Sequence, residues 1–217
     1  GTYSEATADN TVAVGGFSKA TSERATAVGL LAKASGESSF AGGAAANASG
    51  ANSIAIGGAT DGSSADSKSA AKAVGAQAIA VGYKSKAEGE NTIAQGNNAT
   101  AKGAQAISVG LDSKAEGANT IAQGNNATAK GQNSIAQGIS SVAQQTADIA
   151  IGANAAANGT DTPAGSSTGQ NAGTAISIGA NSVATGIATT ALGEAAKATQ
   201  NGAVAVGSKA NATNKAA

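Results

Sequence analysis

The sequence predicts an all-β protein, a solenoid of parallel strands built from a short repeat, and three observations lead to this prediction. A four-residue phrase of apolar, small, apolar residue and glycine recurs along the 217 residues, as at 54–57 and 204–207. Before these glycines, large and small residues alternate, which is the pattern of a strand with two different faces. A second glycine often follows seven residues later. One repeat therefore consists of a strand, a turn, a second strand and a second turn.

The repeat has a period of 14 residues. Ten of the twelve intervals between its closing glycines are 14 residues long, and the other two are 25 and 27. We therefore predict one domain over 1–217 with about thirteen repeats and insertions near 58–72 and 160–173. The insertions are rich in Gly, Ser, Thr, Asp and Ala, so we interpret them as loops that either bind a ligand or simply leave the solenoid. Because glycine adopts positive φ without steric cost, we expect structural turns at Gly15, Gly29, Gly57, Gly82, Gly96, Gly110, Gly124, Gly138, Gly152, Gly179, Gly193 and Gly207.

The first strand of each repeat supplies most of the large apolar residues. The chain has 58 Ala, but Val, Ile, Leu and Phe number only 29, or about two in each of the thirteen repeats. So few large residues are unusual for a globular domain. We expect them to point inward, which predicts a core of Val12, Val14, Ile54, Ile56, Ile79, Val81, Ile93, Ile107, Val109, Ile121, Ile135, Ile149, Ile151, Ile176, Ile178, Val204 and Val206.

The second strand of each repeat carries small residues. Ala or Ser occurs three and five residues after the closing glycine, for example Ser85 and Ala87, with polar residues such as Lys86 beside them. A coil with one large and one small inner face is thin, and it gains stability only by stacking on its neighbours. The remaining apolar side must then meet other chains, so the sequence predicts an obligate oligomer.

Helix and collagen do not fit this pattern. A glycine about every seven residues would cost a helix ~1 kcal/mol each, and the apolar spacing is two rather than three or four. Collagen requires glycine at every third position and abundant proline, whereas Pro163 is the single proline here.

The residue types that are missing limit the possible functions. The chain has no His and no Cys, which excludes imidazole catalysis, thiol nucleophiles and Cys/His zinc sites. Thirteen basic and thirteen acidic residues cancel, which argues against a nucleic-acid partner. The carboxylates of Asp61 and Asp66 lie in an insertion with nothing to position them, so we expect no enzyme and no cofactor. No apolar run approaches the ~20 residues of a membrane helix, and we expect any membrane anchor outside this segment.

The phrases Asn-Ser-Ile-Ala-Ile-Gly at 52–57, Asn-Thr-Ile-Ala-Gln-Gly at 119–124 and Asn-Ser-Ile-Ala-Gln-Gly at 133–138, with the downstream Ala-x-Gly, carry a family resemblance. They resemble the head repeats of trimeric autotransporter adhesins, the YadA-like heads. The resemblance extends from Val12 to about Asn214 and fails only in the two insertions. It implies a left-handed parallel β-roll in each of three chains, packed about a three-fold axis as a homotrimer.

The same resemblance implies a function. It places the chain on the surface of a Gram-negative bacterium, where it would attach the cell to extracellular matrix protein, host cells or abiotic surfaces by multivalent contacts. The alternative is a structural spacer that binds nothing and projects a separate adhesive domain. A solenoid that recognises ice or mineral is a third interpretation, disfavoured because threonines do not form a regular row.

Four lysines are candidate surface contacts. Residues 85–103 and 113–131 agree at 18 of 19 positions, so that charges recur every second repeat. Such rows would present a periodic charged wall to a periodic ligand, although a solvated face is the alternative interpretation. The candidates are Lys86, Lys102, Lys114 and Lys130.

Two further sets of residues depart from the repeat. Gln95, Gln123 and Gln137 occupy a position that is apolar elsewhere; if they point inward, either a stacked amide ladder satisfies them or a threefold set holds an ion or water. Tyr3, Phe17 and Phe40 lie near the start of the chain, where they either cap the solenoid or form a small apolar contact patch.

Overall fold

The computed structural model describes residues 1–59, 69–159 and 174–213, and every regular element in these ranges is a short β-strand. The predicted insertion at 160–173 lies outside the described residues, and of the insertion at 58–72 only residues 58–59 and 69–72 are described. Each 14-residue repeat forms one coil with a longer strand, usually three residues, and a shorter strand, usually two. The chain is thus an all-β parallel solenoid of about thirteen coils, which confirms the predicted fold class.

Contacts divide the chain into two compact units, and the first comprises Gly1–Asp112. Its shorter strands form one parallel ladder and its longer strands form another. The shorter strands are β1 (Glu5–Ala6), β3 (Lys19–Ala20), β5 (Lys33–Ala34), β7 (Asn47–Ala48), β9 (Lys72–Ala73), β11 (Lys86–Ala87) and β13 (Thr100–Ala101). The longer strands are β2 (Val12–Val14), β4 (Thr26–Val28), β6 (Phe40–Gly42), β8 (Ile54–Ile56), β10 (Ile79–Val81), β12 (Ile93–Gln95) and β14 (Ile107–Val109).

The second unit, Ser113–Ala217, has the same construction. Its shorter strands are β15 (Lys114–Ala115), β17 (Thr128–Ala129), β19 (Val142–Ala143), β21 (Ala156–Asn158), β23 (Val183–Thr185), β25 (Lys197–Ala198) and β27 (Asn211–Ala212). Its longer strands are β16 (Ile121–Gln123), β18 (Ile135–Gln137), β20 (Ile149–Ile151), β22 (Ala175–Ile178), β24 (Thr189–Leu192) and β26 (Val204–Val206).

Neighbouring strands in each ladder pair one repeat apart. Ile79 lies beside Ile93, which follows it by 14 residues. The register is kept where the sequence spacing is longer, because Ile79 also pairs with Ile54 and Ile149 pairs with Ile176. The extra residues of both long intervals are therefore left out of the ladders.

The interior of the coils consists of small side chains. Along β12 the exposed and half-buried Gln95 and Ile93 flank Ala94, which is fully buried. The same alternation recurs in the shorter strands, where Ala87 is buried behind Lys86. Every buried apolar residue among the described ones is an alanine, and the largest fully buried side chains are Thr92, Thr120, Thr189 and Asp148. Both inner faces of a coil are thus small.

This arrangement shows that the predicted core was wrong for the single chain. A 14-residue coil has room inside for methyl and hydroxymethyl groups, so the large residues point outward. Val12, Val14, Ile56, Val204 and Val206 are exposed. The remaining predicted core residues are half-buried, namely Ile54, Ile79, Val81, Ile93, Ile107, Val109, Ile121, Ile135, Ile149, Ile151, Ile176 and Ile178.

The turn after each longer strand contains the closing glycine. All twelve glycines predicted as structural turns have φ between +121° and +146°. The second glycine of the repeat has a different role from the one we expected. Gly36 has no positive φ, but a Cβ on it would lie 1.9 Å from the carbonyl oxygen of Gly50 in the next coil. Close stacking of backbones, rather than positive φ, requires glycine there.

Other residue types supply the left-handed corners. Two residues per coil, seven positions apart, have φ near +57°, and most of them are not glycine. Asparagine is frequent among them, as expected from its tolerance of this conformation. The asparagines are Asn10, Asn52, Asn91, Asn98, Asn119, Asn126, Asn133, Asn154 and Asn181.

Candidate binding surfaces

The outer side of the longer strands is apolar. On each strand the first and third residues point away from the interior, and we call these side chains the apolar face of their unit. Several are strongly exposed, with Val206 at 63% and Val14 at 54%. In the first unit this face comprises Val12, Val14, Val28, Phe40, Ile54, Ile56, Ile79, Val81, Ile93, Ile107 and Val109. In the second unit it comprises Ile121, Ile135, Ile149, Ile151, Ile176, Ile178, Leu192, Val204 and Val206.

Apolar residues in the following turns extend this exposure. Ile139, Leu111 and Leu30 each follow a closing glycine directly, and Ile139 is 60% exposed. A row of exposed Val, Ile and Leu side chains on an otherwise polar protein is typical of an interaction surface.

Three glutamines interrupt the apolar face. Gln95, Gln123 and Gln137 occupy the third position of their strands and are exposed. Their side chains therefore do not enter the interior. Gln137 donates a hydrogen bond from Nε2 to Oε1 of Gln123 in the neighbouring coil at 3.3 Å, so the expected amide ladder exists as one pair on the outer surface.

The outer side of the shorter strands is mostly polar. The candidate lysines lie here: Lys86 begins β11 and Lys114 begins β15, while Lys102 and Lys130 follow β13 and β17 directly. Lys86 is half-buried and the other three are exposed. In the ladders Lys86 pairs with Thr100, and Lys114 pairs with Thr128, so each lysine is followed along the stack by a threonine.

Part of this polar surface is concave. In the second unit Lys114, Glu116, Thr128, Lys130, Val142 and Gln144 line an open depression of about 430 Å³. The structure thus brings Lys114 and Lys130 together, one coil apart. Among the described residues the ion pairs join Lys19 to Glu5 and Arg24 to Glu23 and Glu37, so none involves the four candidate lysines.

The aromatic residues near the start of the chain form an exposed cluster. The rings of Tyr3 and Phe17 stack with centroids 5.2 Å apart, and Tyr3 is 73% exposed. Phe40 lies on β6, with its ring over Gly42. Tyr3 and Phe17 occupy successive left-handed corners of the first two coils.

Sequence analysis did not single out Asp148, the fully buried carboxylate before β20. Its Oδ2 accepts hydrogen bonds from the backbone N–H of Gln145 at 2.9 Å and of Gly159 at 3.1 Å. Its Oδ1 accepts one from the N–H of Ala175 at 2.8 Å. Gly159 and Ala175 lie on either side of the second insertion, so one carboxylate joins its two ends. The signal in the sequence is an Asp where other repeats have Ser, Thr or Ala.

The described residues offer no site for a metal ion, because no three of their acidic side chains lie together. Within the same ranges no helix is long and apolar enough to cross a membrane.

The fold and its two contrasting surfaces define a class, the repetitive β-solenoid heads of adhesins, and comparison with known proteins identifies the family. The family model described as the YadA head domain repeat matches most of the chain, and the chain belongs to this family of non-enzymatic adhesin heads. This confirms the resemblance and the expectation that the chain is not an enzyme. The matched segments are residues 1–18, 6–32, 20–46, 34–60, 73–99, 87–113, 101–127, 115–138, 129–155, 171–193 and 184–210.

Among solved structures, the chain is similar to the crystal structure of the collagen-binding domain of the Yersinia adhesin YadA. The two are 26% identical, the TM-score is 0.51, and the match covers 75% of this chain and 69% of that one. No match is found among the curated proteins.

Proposed function

We propose that the chain is an adhesin head on the surface of a Gram-negative bacterium, where it attaches the cell to extracellular matrix protein, host cells or abiotic surfaces. Membership in the YadA head family and similarity to a collagen-binding domain support this proposal. The observation that carries it is the division of each unit into an apolar and a polar outer face.

The apolar face supports assembly as a homotrimer. In the single chain every buried apolar residue among the described ones is an alanine, whereas valine and isoleucine side chains remain at the surface. A copy of the same chain has strands at the same spacing, so its apolar face fits this one coil by coil. Association between copies would bury the large side chains that the thin interior cannot hold.

The polar face is then left to contact the ligand. The positions of Lys86, Lys102, Lys114 and Lys130 recur along the repeat, and association of copies would multiply them. Individually weak contacts of exposed lysines become strong in combination when many act at once on one repetitive surface. We propose these lysines as contacts for an acidic or repetitive partner.

A retention assay tests this function. Collagen, fibronectin, plastic and glass are exposed to the purified chain at two salt concentrations, and the bound protein is measured. We expect retention on at least one of them, about tenfold weaker for the variant K86Q/K102Q/K114Q/K130Q and weaker at high salt, because screening reduces contacts between exposed charges.

The control removes four other lysines, in the variant K19Q/K33Q/K197Q/K209Q. It changes net charge by the same amount, so equal loss of binding in both variants would show a general charge effect rather than contacts at the candidate lysines. Absence of retention on all four materials would favour the structural spacer.

A further inference from the structure

The repetition of the apolar face creates a problem for association. Isoleucine occupies the first position of consecutive longer strands from β10 to β22. If two copies slide past one another by one coil, isoleucine still meets isoleucine at these positions. The first positions alone therefore do not determine at which height the copies associate.

The third positions of the longer strands are not uniform. They hold Val81, Gln95 and Val109 in successive coils of the first unit. In the second unit Gln123 and Gln137 are followed by Ile151, Ile178, Leu192 and Val206. All three glutamines are exposed in the single chain, so their polarity has no role in its interior.

We propose that Gln95, Gln123 and Gln137 fix the axial register in which copies of this chain associate. The inference rests on the self-association proposed above. A glutamine amide has both donors and an acceptor, so it satisfies a second glutamine that lies at the same height. Opposite valine or isoleucine, the same amide loses water without gaining a partner, which disfavours that alignment.

The spacing of the glutamines makes the register unique. Gln95 and Gln123 are two coils apart, and Gln123 and Gln137 are one coil apart. A slip of one, two or three coils therefore aligns only one of the three glutamines with another glutamine. A single buried polar residue sets the register of coiled coils in the same way.

The test uses a chain with the same composition and a different pattern. The variant I56Q/Q95I/Q137L/L192Q exchanges Ile56 with Gln95 and Gln137 with Leu192, so its glutamines lie at 56, 123 and 192. No slip aligns more than one of these with a glutamine of the unmodified chain. Ile56 and Leu192 are each 43% exposed, so the exchange leaves the interior of the coils unchanged.

The permuted chain is labelled with nitrogen-15, mixed with unlabelled original chain, unfolded, refolded and analysed by native mass spectrometry. Random assembly of trimers would make about three-quarters of them mixed, since both chains expose similar apolar faces. We expect each chain to associate with itself and mixed species to fall at least about fivefold below the random share. Labelled and unlabelled copies of the original chain provide the control for random mixing.

Each outcome decides a different point. Random mixing of the two chains would overturn the register proposal and leave self-association intact. Folded monomers of both chains would overturn self-association and the register proposal together.

Discussion

Asp148 shows how a single residue accommodates an insertion in a repetitive fold. At the equivalent position of other repeats, the N–H of the residue bonds to a carbonyl three residues earlier, as Ser134 does to Gly131. For Ala175, the residue three positions earlier lies in the second insertion, and its N–H donates to Asp148 instead. The carboxylate thus replaces the acceptor that the regular turn would supply.

Replacing Asp148 by alanine is expected to destabilise the chain by about 3 kcal/mol or more. Three backbone N–H groups would lose their acceptor, and an unsatisfied buried donor costs about 1–3 kcal/mol. Urea denaturation followed by circular dichroism at constant protein concentration measures the loss.

The matched control is Ser134→Ala, one coil earlier at the equivalent position. The Ser134 hydroxyl is buried without a hydrogen-bond partner, so its removal should change the free energy of unfolding little. If both substitutions had equal effects, the anchoring role of Asp148 would be refuted.

The second glycine of the repeat is expected to tolerate no side chain. A Cβ on Gly131 would lie 2.0 Å from the carbonyl carbon of Gln145, so Gly131→Ala forces the two coils apart. We expect a loss of about 1–3 kcal/mol, as for other overpacking substitutions, seen as a lower Tm. Gly16→Ala is the control, since its nearest contact is the end of the Leu30 side chain at 3.3 Å. An unchanged Tm for Gly131→Ala would contradict the close stacking.

The glycine pattern gave the positions of the corners but not all the reasons for them. Positive φ at Gly15 and its equivalents follows from the sequence. The left-handed conformation of Asn91 or Asn133 was predictable too, because asparagine adopts it more readily than most residues, but attention went to the glycines. The close approach of Gly36 to Gly50 was not predictable, since it depends on how the coils stack.

At the scale of the strand, alternation predicted two faces without saying which one is inside. Ile93, Ala94 and Gln95 form such a strand, and hydrophobicity alone favours an inward isoleucine. The narrow interior of a 14-residue coil decides the opposite, because two small inner faces lie close together. The same choice was needed in every repeat, so one wrong assumption displaced the whole predicted core.

A pair of substitutions in β12 tests this orientation. Ala94→Val adds two methyl groups to a fully buried position and is expected to cost about 1–3 kcal/mol of folding free energy. Ile93→Val removes one methylene from a half-buried position and should cost less than about 1 kcal/mol. Thermal denaturation of both variants gives the comparison. A larger effect of Ile93→Val would place isoleucine inside the coil.

For the whole molecule, the small number of large apolar residues and their position outside the coils lead to one conclusion. Alanines alone form the buried apolar part of the described chain, and the exposed Val, Ile and Leu side chains require another surface. The sequence predicted this dependence on other chains, although it placed the same residues on the wrong side of the coil. The polar face, with its four candidate lysines, is available for a ligand only if the apolar face is the one that copies share.

The molar mass of the purified chain in solution tests this account most directly. Light scattering coupled to size-exclusion chromatography should give three times the 20.1 kDa mass of the chain, with circular dichroism showing β-structure in the same fractions. A folded, monodisperse species of 20.1 kDa would contradict the account, because its apolar face would then be stable in water without a partner.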